Sequence, residues 1–71
     1  MKKRALMRHI TKAAKEANVE LVKVRQGKHE IWSCGGQRFA IPRHAEINEL
    51  TAGAILDDVA ESLGKAKGWW R

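Results

Sequence analysis

The stretch RQGKHEIWSCGGQRFAIPRH, residues 25–44, decides the fold. Two runs of strand-forming residues, His29 to Cys34 and Gln37 to Ile41, flank the pair Gly35-Gly36. A two-residue hairpin turn needs backbone in the left-handed region, which glycine enters without a Cβ clash. The pattern therefore predicts a tight β-hairpin. Pro42 ends the second run, because it has no N–H to offer a ladder. Gly27 precedes the first run and predicts a bend that delivers Lys28 and His29 to the start of the strand. With the two glycines as the loop, Cys34 faces Gln37, Ser33 faces Arg38, Trp32 faces Phe39, Ile31 faces Ala40 and Glu30 faces Ile41. Side chains alternate across a strand, so Trp32, Cys34, Phe39 and Ile41 share the face expected to meet a core. His29, Ile31, Ser33, Arg38 and Ala40 share the other face, which is polar, basic and carries an imidazole.

Upstream, Val19 to Arg25 is rich in β-branched residues and predicts a strand. Strict alternation along it puts Val22 and Val24 on one face and Leu21, Lys23 and Arg25 on the other. The link Gln26-Gly27-Lys28 is too short for a crossover, so this strand pairs antiparallel with the next and the three form a meander. Before it, Leu6, Ile10, Ala13, Ala14 and Ala17 recur at helical spacing and predict a helix over 4–17, closed by Asn18. Beyond Pro42, an irregular segment from Arg43 to Leu50 is expected to tuck onto the core through Ile47 and Leu50. Thr51 then serves as N-cap of a helix from Ala52 to Leu63, with Leu50 and Ile55 forming a hydrophobic staple. Ile55, Leu56, Val59 and Leu63 make its buried stripe, Gly64 closes it, and Asp57, Asp58 and Glu61 face outward or toward a partner. The order α-β-β-β-α predicts an α+β fold: a three-stranded antiparallel sheet with both helices on one face. That is the layout of a double-stranded-RNA-binding domain.

The chain's 71 residues make one small domain, read as 1–64, followed by a basic, tryptophan-containing tail at 65–71. A chain this short buries only about 60% of the surface its unfolded form exposes. One cysteine, Cys34, forms no internal disulfide and fits a reducing compartment. The basic start at Met1-Lys2-Lys3-Arg4 is followed by charged Arg8, His9 and Lys12 rather than an apolar run, so no signal peptide or membrane span is expected and the reading is cytoplasmic. Net charge is +6, unevenly spread: residues 1–43 hold eleven Lys/Arg against three acids, and residues 44–64 hold five acids and no Lys/Arg. A polyanionic partner, nucleic acid, suits the basic half; a merely solubilising surface is the plainer reading of the same charge. No Cys/His cluster has metal-ligand spacing, and no cofactor is expected.

Gly27-Lys28-His29-Glu30-Ile31-Trp32, the glycine turn, Ile41-Pro42-Arg43-His44, and Glu46 to Leu50 leading into the last helix together resemble the HicA toxin family. The resemblance runs from Leu6 to Gly64. It implies a small ribonuclease of a type II toxin–antitoxin system, with mRNA as substrate and a HicB-like antitoxin protein as partner. It also implies that His29 is the catalytic histidine and Gly27 the family's turn glycine. Lys28 stands where the family commonly has serine, which adds a cation beside the imidazole.

Cutting RNA without a metal needs a base that takes the proton of a ribose 2′-OH, which then attacks the adjacent phosphate. Imidazole suits this step because its ordinary titration range lies closest to neutral pH. Cations must stabilise the charge growing on the phosphoryl oxygens; Lys23, Arg25, Lys28, Arg38 and Arg43 are the candidates for RNA binding. His44 reads either as an acid for the leaving oxygen or as a residue that holds its loop. Three readings stay open for Trp69-Trp70: packing on the core, stacking on bases, or binding a protein. Two competing functions also stay open, a non-catalytic RNA-binding module on the same basic surface and a protein-interaction domain working through its acidic last helix.

Overall fold

The computed structural model describes residues 1–66 and 68–70. Helix α1 (Lys3–Glu16), strands β1 (Leu21–Gln26), β2 (His29–Cys34) and β3 (Gln37–Pro42), and helix α2 (Glu49–Leu63) follow in that order. The strands form one antiparallel sheet in the order β1-β2-β3, and the expected α+β architecture is the observed one. The β2–β3 register pairs Cys34 with Gln37, Ser33 with Arg38, Trp32 with Phe39, Ile31 with Ala40, Glu30 with Ile41, and His29 with Pro42. Both turn glycines take positive φ, +60° at Gly35 and +81° at Gly36, so the hairpin is built as its two-residue loop requires.

One sheet face carries both helices. Cys34, Phe39 and Ile41 are buried there against Leu6, Ile10, Ala13 and Ala14 of α1 and Ala52, Ile55, Leu56, Val59 and Ala60 of α2. The alanines let backbone approach backbone, and a domain this small depends on such close packing. Asn18, at φ 61°, turns the chain from α1 toward β1. Gly35 also lies against the end of α2: a Cβ there would sit 3.2 Å from Leu63 Cδ2, while one on Gly36 meets nothing within 4 Å. Alanine at Gly35 is therefore expected to cost about 1–2 kcal/mol from left-handed backbone strain, plus the displacement of Leu63. Gly36→Ala carries the strain alone, so thermal unfolding should show the larger drop for Gly35→Ala.

Three expectations are corrected. First, α2 begins at Glu49, not Ala52: Asn48 is its N-cap, and the Asn48 side chain accepts from the Leu50 N–H at 2.8 Å. Asparagine outranks threonine as a cap, and capping one turn earlier lets Ile47 enter the core at 3% exposure. Second, Leu50 thereby becomes a first-turn helical residue on the outer side. It is 85% exposed, neither tucked onto the core nor stapled to it. Third, β1 is not strictly alternating. A bulge between Lys23 and Arg25 leaves Val24 unpaired, so Lys23 stands opposite Trp32 and Arg25 opposite Ile31. One extra residue flips everything beyond it to the other face. Lys23 thus lies on the helix side of the sheet, its Nζ 5.4 Å from the centre of the Trp32 ring, and Arg25 lies on the open side.

Glu30 is the one charged residue among the buried ones described, 7% exposed on the helix-covered face. Its Oε2 accepts from Lys3 Nζ at 2.6 Å and its Oε1 from Trp32 Nε1 at 3.0 Å. The Lys3 hydrogen bond, then that of Trp32, holds the Glu30 carboxyl below the ordinary value of 4.5. The partner is needed on both sides, because α1 starts with Lys2, Lys3 and Arg4 and has no acid in its first turn. Cations there oppose the helix dipole; Glu30 on Lys3 and Glu46 on Lys2, at 3.3 Å, offset them.

The tail folds back on the helices. Trp69 Nε1 donates to Leu56 O at 3.3 Å, the Trp69 ring meets His9 edge-on at 6.2 Å, and Gly68 N–H donates to Asp57 Oδ1 at 3.2 Å. Trp70 lies over Gly53, where an added Cβ would make ordinary contact with its ring at 3.5 Å. Both tryptophans pack on the core, so the packing reading of this pair holds. Asp57 is used inside the fold rather than offered outward. Lys67 and Arg71, two of the tail's cations, lie outside the described residues.

Candidate functional site

His29 opens β2, the central strand, and its side chain is exposed on the uncovered face. Two features position it. The bend at Gly27 and Lys28 is closed by a Gly27 N–H to His29 O hydrogen bond of 3.3 Å. Arg43, just past β3, reaches back so that Nη1 donates to Gly27 O at 3.0 Å. The two separate sequence elements, Gly27-Lys28-His29 and Ile41-Pro42-Arg43-His44, are thereby one unit in space. Gly27 takes no positive φ, and a Cβ on it would meet nothing within 4 Å. The bend does not demand a glycine there.

The basic candidates divide around this unit. Lys28 adjoins His29 in the bend and is exposed. Arg25 stands opposite Ile31, on the open face one pleat from His29. A guanidinium has five N–H donors, so Arg43 keeps four after its bond to Gly27. Arg38 is on the open face but opposite Ser33, four residues along β2 from His29, or about 13 Å. It is not a near neighbour of the imidazole. Lys23 is excluded from this face by the bulge. His44 is exposed in the connection from β3 to α2 and does not line the groove beside His29.

That groove was missed in the sequence. It runs along the β3 edge of the sheet, where residues of the open face and of α2 on the covered face both reach it. It has a volume of about 480 Å3 and brings His29, Ala40 and Pro42 together with Leu50, Thr51, Ala54, Ile55 and Asp58. Leu50, Ala54 and Asp58 recur every four residues, so they form one ridge along α2. The signal was present in that spacing, but placing the helix start at Ala52 left Leu50 out of it. Among the described residues no group of three or more His, Cys, Asp and Glu is arranged to hold a metal ion, and no helix is long and apolar enough to cross a membrane.

Compared with known protein families, curated proteins and solved structures, the chain matches none. The functional reading therefore stands on the residues and their arrangement.

Proposed function

We propose that the protein is a metal-independent endoribonuclease that cleaves mRNA with His29 as general base, the toxin of a type II toxin–antitoxin pair neutralised by a HicB-like antitoxin. The observation that carries the catalytic part is an exposed His29 on the uncovered sheet face with cations around it: Lys28 beside it in the bend, Arg25 one pleat away on the same face, and Arg43 bonded to the Gly27 carbonyl at 3.0 Å. An exposed imidazole at the start of a central strand can reach a ribose, while the cations meet the phosphate. The antitoxin part rests on the resemblance to the HicA family.

In the reaction the imidazole of His29 takes the proton of the 2′-OH. The 2′ oxygen bonds to phosphorus, the bond from phosphorus to the 5′ oxygen breaks, and that oxygen takes a proton from solvent. The products are a 2′,3′-cyclic phosphate and a 5′-hydroxyl end. Purified protein incubated with RNA and a chelator is expected to yield these ends, and RNA carrying a 2′-deoxyribose at the cut position is expected to stay whole. RNA that is bound but never cut would convert the reading to the non-catalytic binding module; cutting that stops with chelator would remove the metal-independent step.

A further inference from the structure

The central position of His29 gives it two chemically different sides. Toward β1 and the bend lie Arg25, Lys28 and Arg43. Toward β3 and α2 lies the groove, walled by Ala40, Pro42 and Ala54, with Leu50 and Asp58 at the two ends of the α2 ridge. Leu50 is 85% exposed, a large apolar side chain that the fold itself leaves uncovered. Ala54, between Leu50 and Asp58, is small, so the ridge dips in its middle. The result is an apolar slot with one carboxylate, of the size that takes a small ligand.

A carboxylate accepts hydrogen bonds and repels phosphate. A nucleotide laid across His29 therefore has one favourable orientation, phosphate toward the cations and base toward Asp58. The ribose between them then falls at the imidazole, where the 2′-OH has to be. We infer that the groove between the sheet and α2 binds one nucleobase of the RNA and selects guanine through the Asp58 carboxylate. This rests on the ribonuclease reading and names its substrate preference. Guanine is the base whose Watson–Crick edge carries two adjacent donors, N1–H and the N2 amino group, to match the two oxygens of a carboxylate. Adenine and cytosine each set a ring acceptor beside their amino group, and uracil has one N–H between two carbonyls. Reading an unstacked base by this edge is the usual route to sequence preference in single-stranded RNA.

The test uses the whole protein and the four nucleoside 3′-monophosphates, with binding followed by calorimetry and by the NMR signals of the His29 ring, alongside cut-site mapping on a random-sequence RNA. Guanosine monophosphate is expected to bind about fivefold or more tighter than the other three, with cuts concentrated beside guanosines. Asp58→Asn should erase that preference, and Ala54→Leu, which fills the dip, should remove base-dependent binding. Both positions are exposed on α2, and unchanged thermal unfolding of each variant confirms that the fold is kept. Equal binding of all four nucleotides, or a guanine preference that survives Asp58→Asn, overturns the inference. Selective guanine binding with no cutting of RNA would retain the groove and sink the ribonuclease reading. Cutting that depends on His29 but ignores base identity would do the reverse.

Discussion

Replacing His29 by alanine is expected to slow RNA cleavage by roughly 10²- to 10⁴-fold, the usual contribution of a positioned acid–base group. The imidazole is exposed, at the start of β2 and opposite Pro42, so its removal opens no cavity in the core. Thermal stability should change by no more than about 0.5 kcal/mol. Binding of RNA, carried by Arg25, Lys28 and Arg43, should persist and keep its steep dependence on salt. Single-turnover cleavage, a melting curve and a binding isotherm on the same preparation separate these effects. A His29→Ala protein that cuts at the parent's rate would end the assignment. So would a variant that loses cutting only because it has lost its fold.

The second large effect is on stability. Lys3→Met removes the cation from a carboxylate that is 7% exposed and hydrogen-bonded by Lys3 at 2.6 Å. Uncompensated buried charges cost several kcal/mol; with the Lys3 side chain 22% exposed and that of Glu30 10% exposed, about 2–3 kcal/mol is expected. In a domain of this length that lowers the melting temperature by roughly 10–20 °C. Glu30→Gln should cost less, because it leaves no buried carboxylate without its cation. Its single amide oxygen, however, can accept from only one of the two donors that Glu30 Oε1 and Oε2 now serve, Trp32 and Lys3. The double variant Lys3→Met, Glu30→Leu should regain most of the loss, since apolar replacement of a whole buried pair is often neutral. A double variant as unstable as Lys3→Met would show that packing, not the orphaned charge, is responsible.

The pair also sets the acid limb. The Glu30 carboxyl is held below 4.5 in the folded protein, first by Lys3 and then by Trp32, so the folded state binds fewer protons than the unfolded one in that range. The contribution is complete above the unfolded value and is lost as pH falls through the folded one. Glu46, lowered by the α-amino group of Met1 and then by Lys2, acts in the same direction. The difference between wild type and Glu30→Gln therefore isolates Glu30: the stability gap between them should narrow as pH falls below about 4.5.

Residues 25–44 made most of the sheet legible. A two-glycine loop leaves one register, and a register with period two assigns each side chain of β2 and β3 to a face. Cys34, Phe39 and Ile41 are buried and His29, Arg38 and Ala40 exposed as that rule dictates. The same rule implied that Glu30, paired with Ile41, faces the core. What no spacing could supply was its partner, Lys3, 27 residues earlier on another element.

Local pattern failed wherever a contact between elements outweighed it. A bulge at Val24 put Lys23 and Arg25 on opposite faces, and alternation cannot reveal one unpaired residue. Asn48 and Thr51 are both plausible caps, and the choice was made by Ile47 reaching the core. The imidazole, Lys28 beside it in the chain and the place of His29 on the open face were determined by the sequence alone, because hairpin geometry is short-range. The groove, the Arg43 tether and the division of charge about His29 were decided by the tertiary structure, because each joins residues that only the packing of α2 and the closing of the sheet bring together.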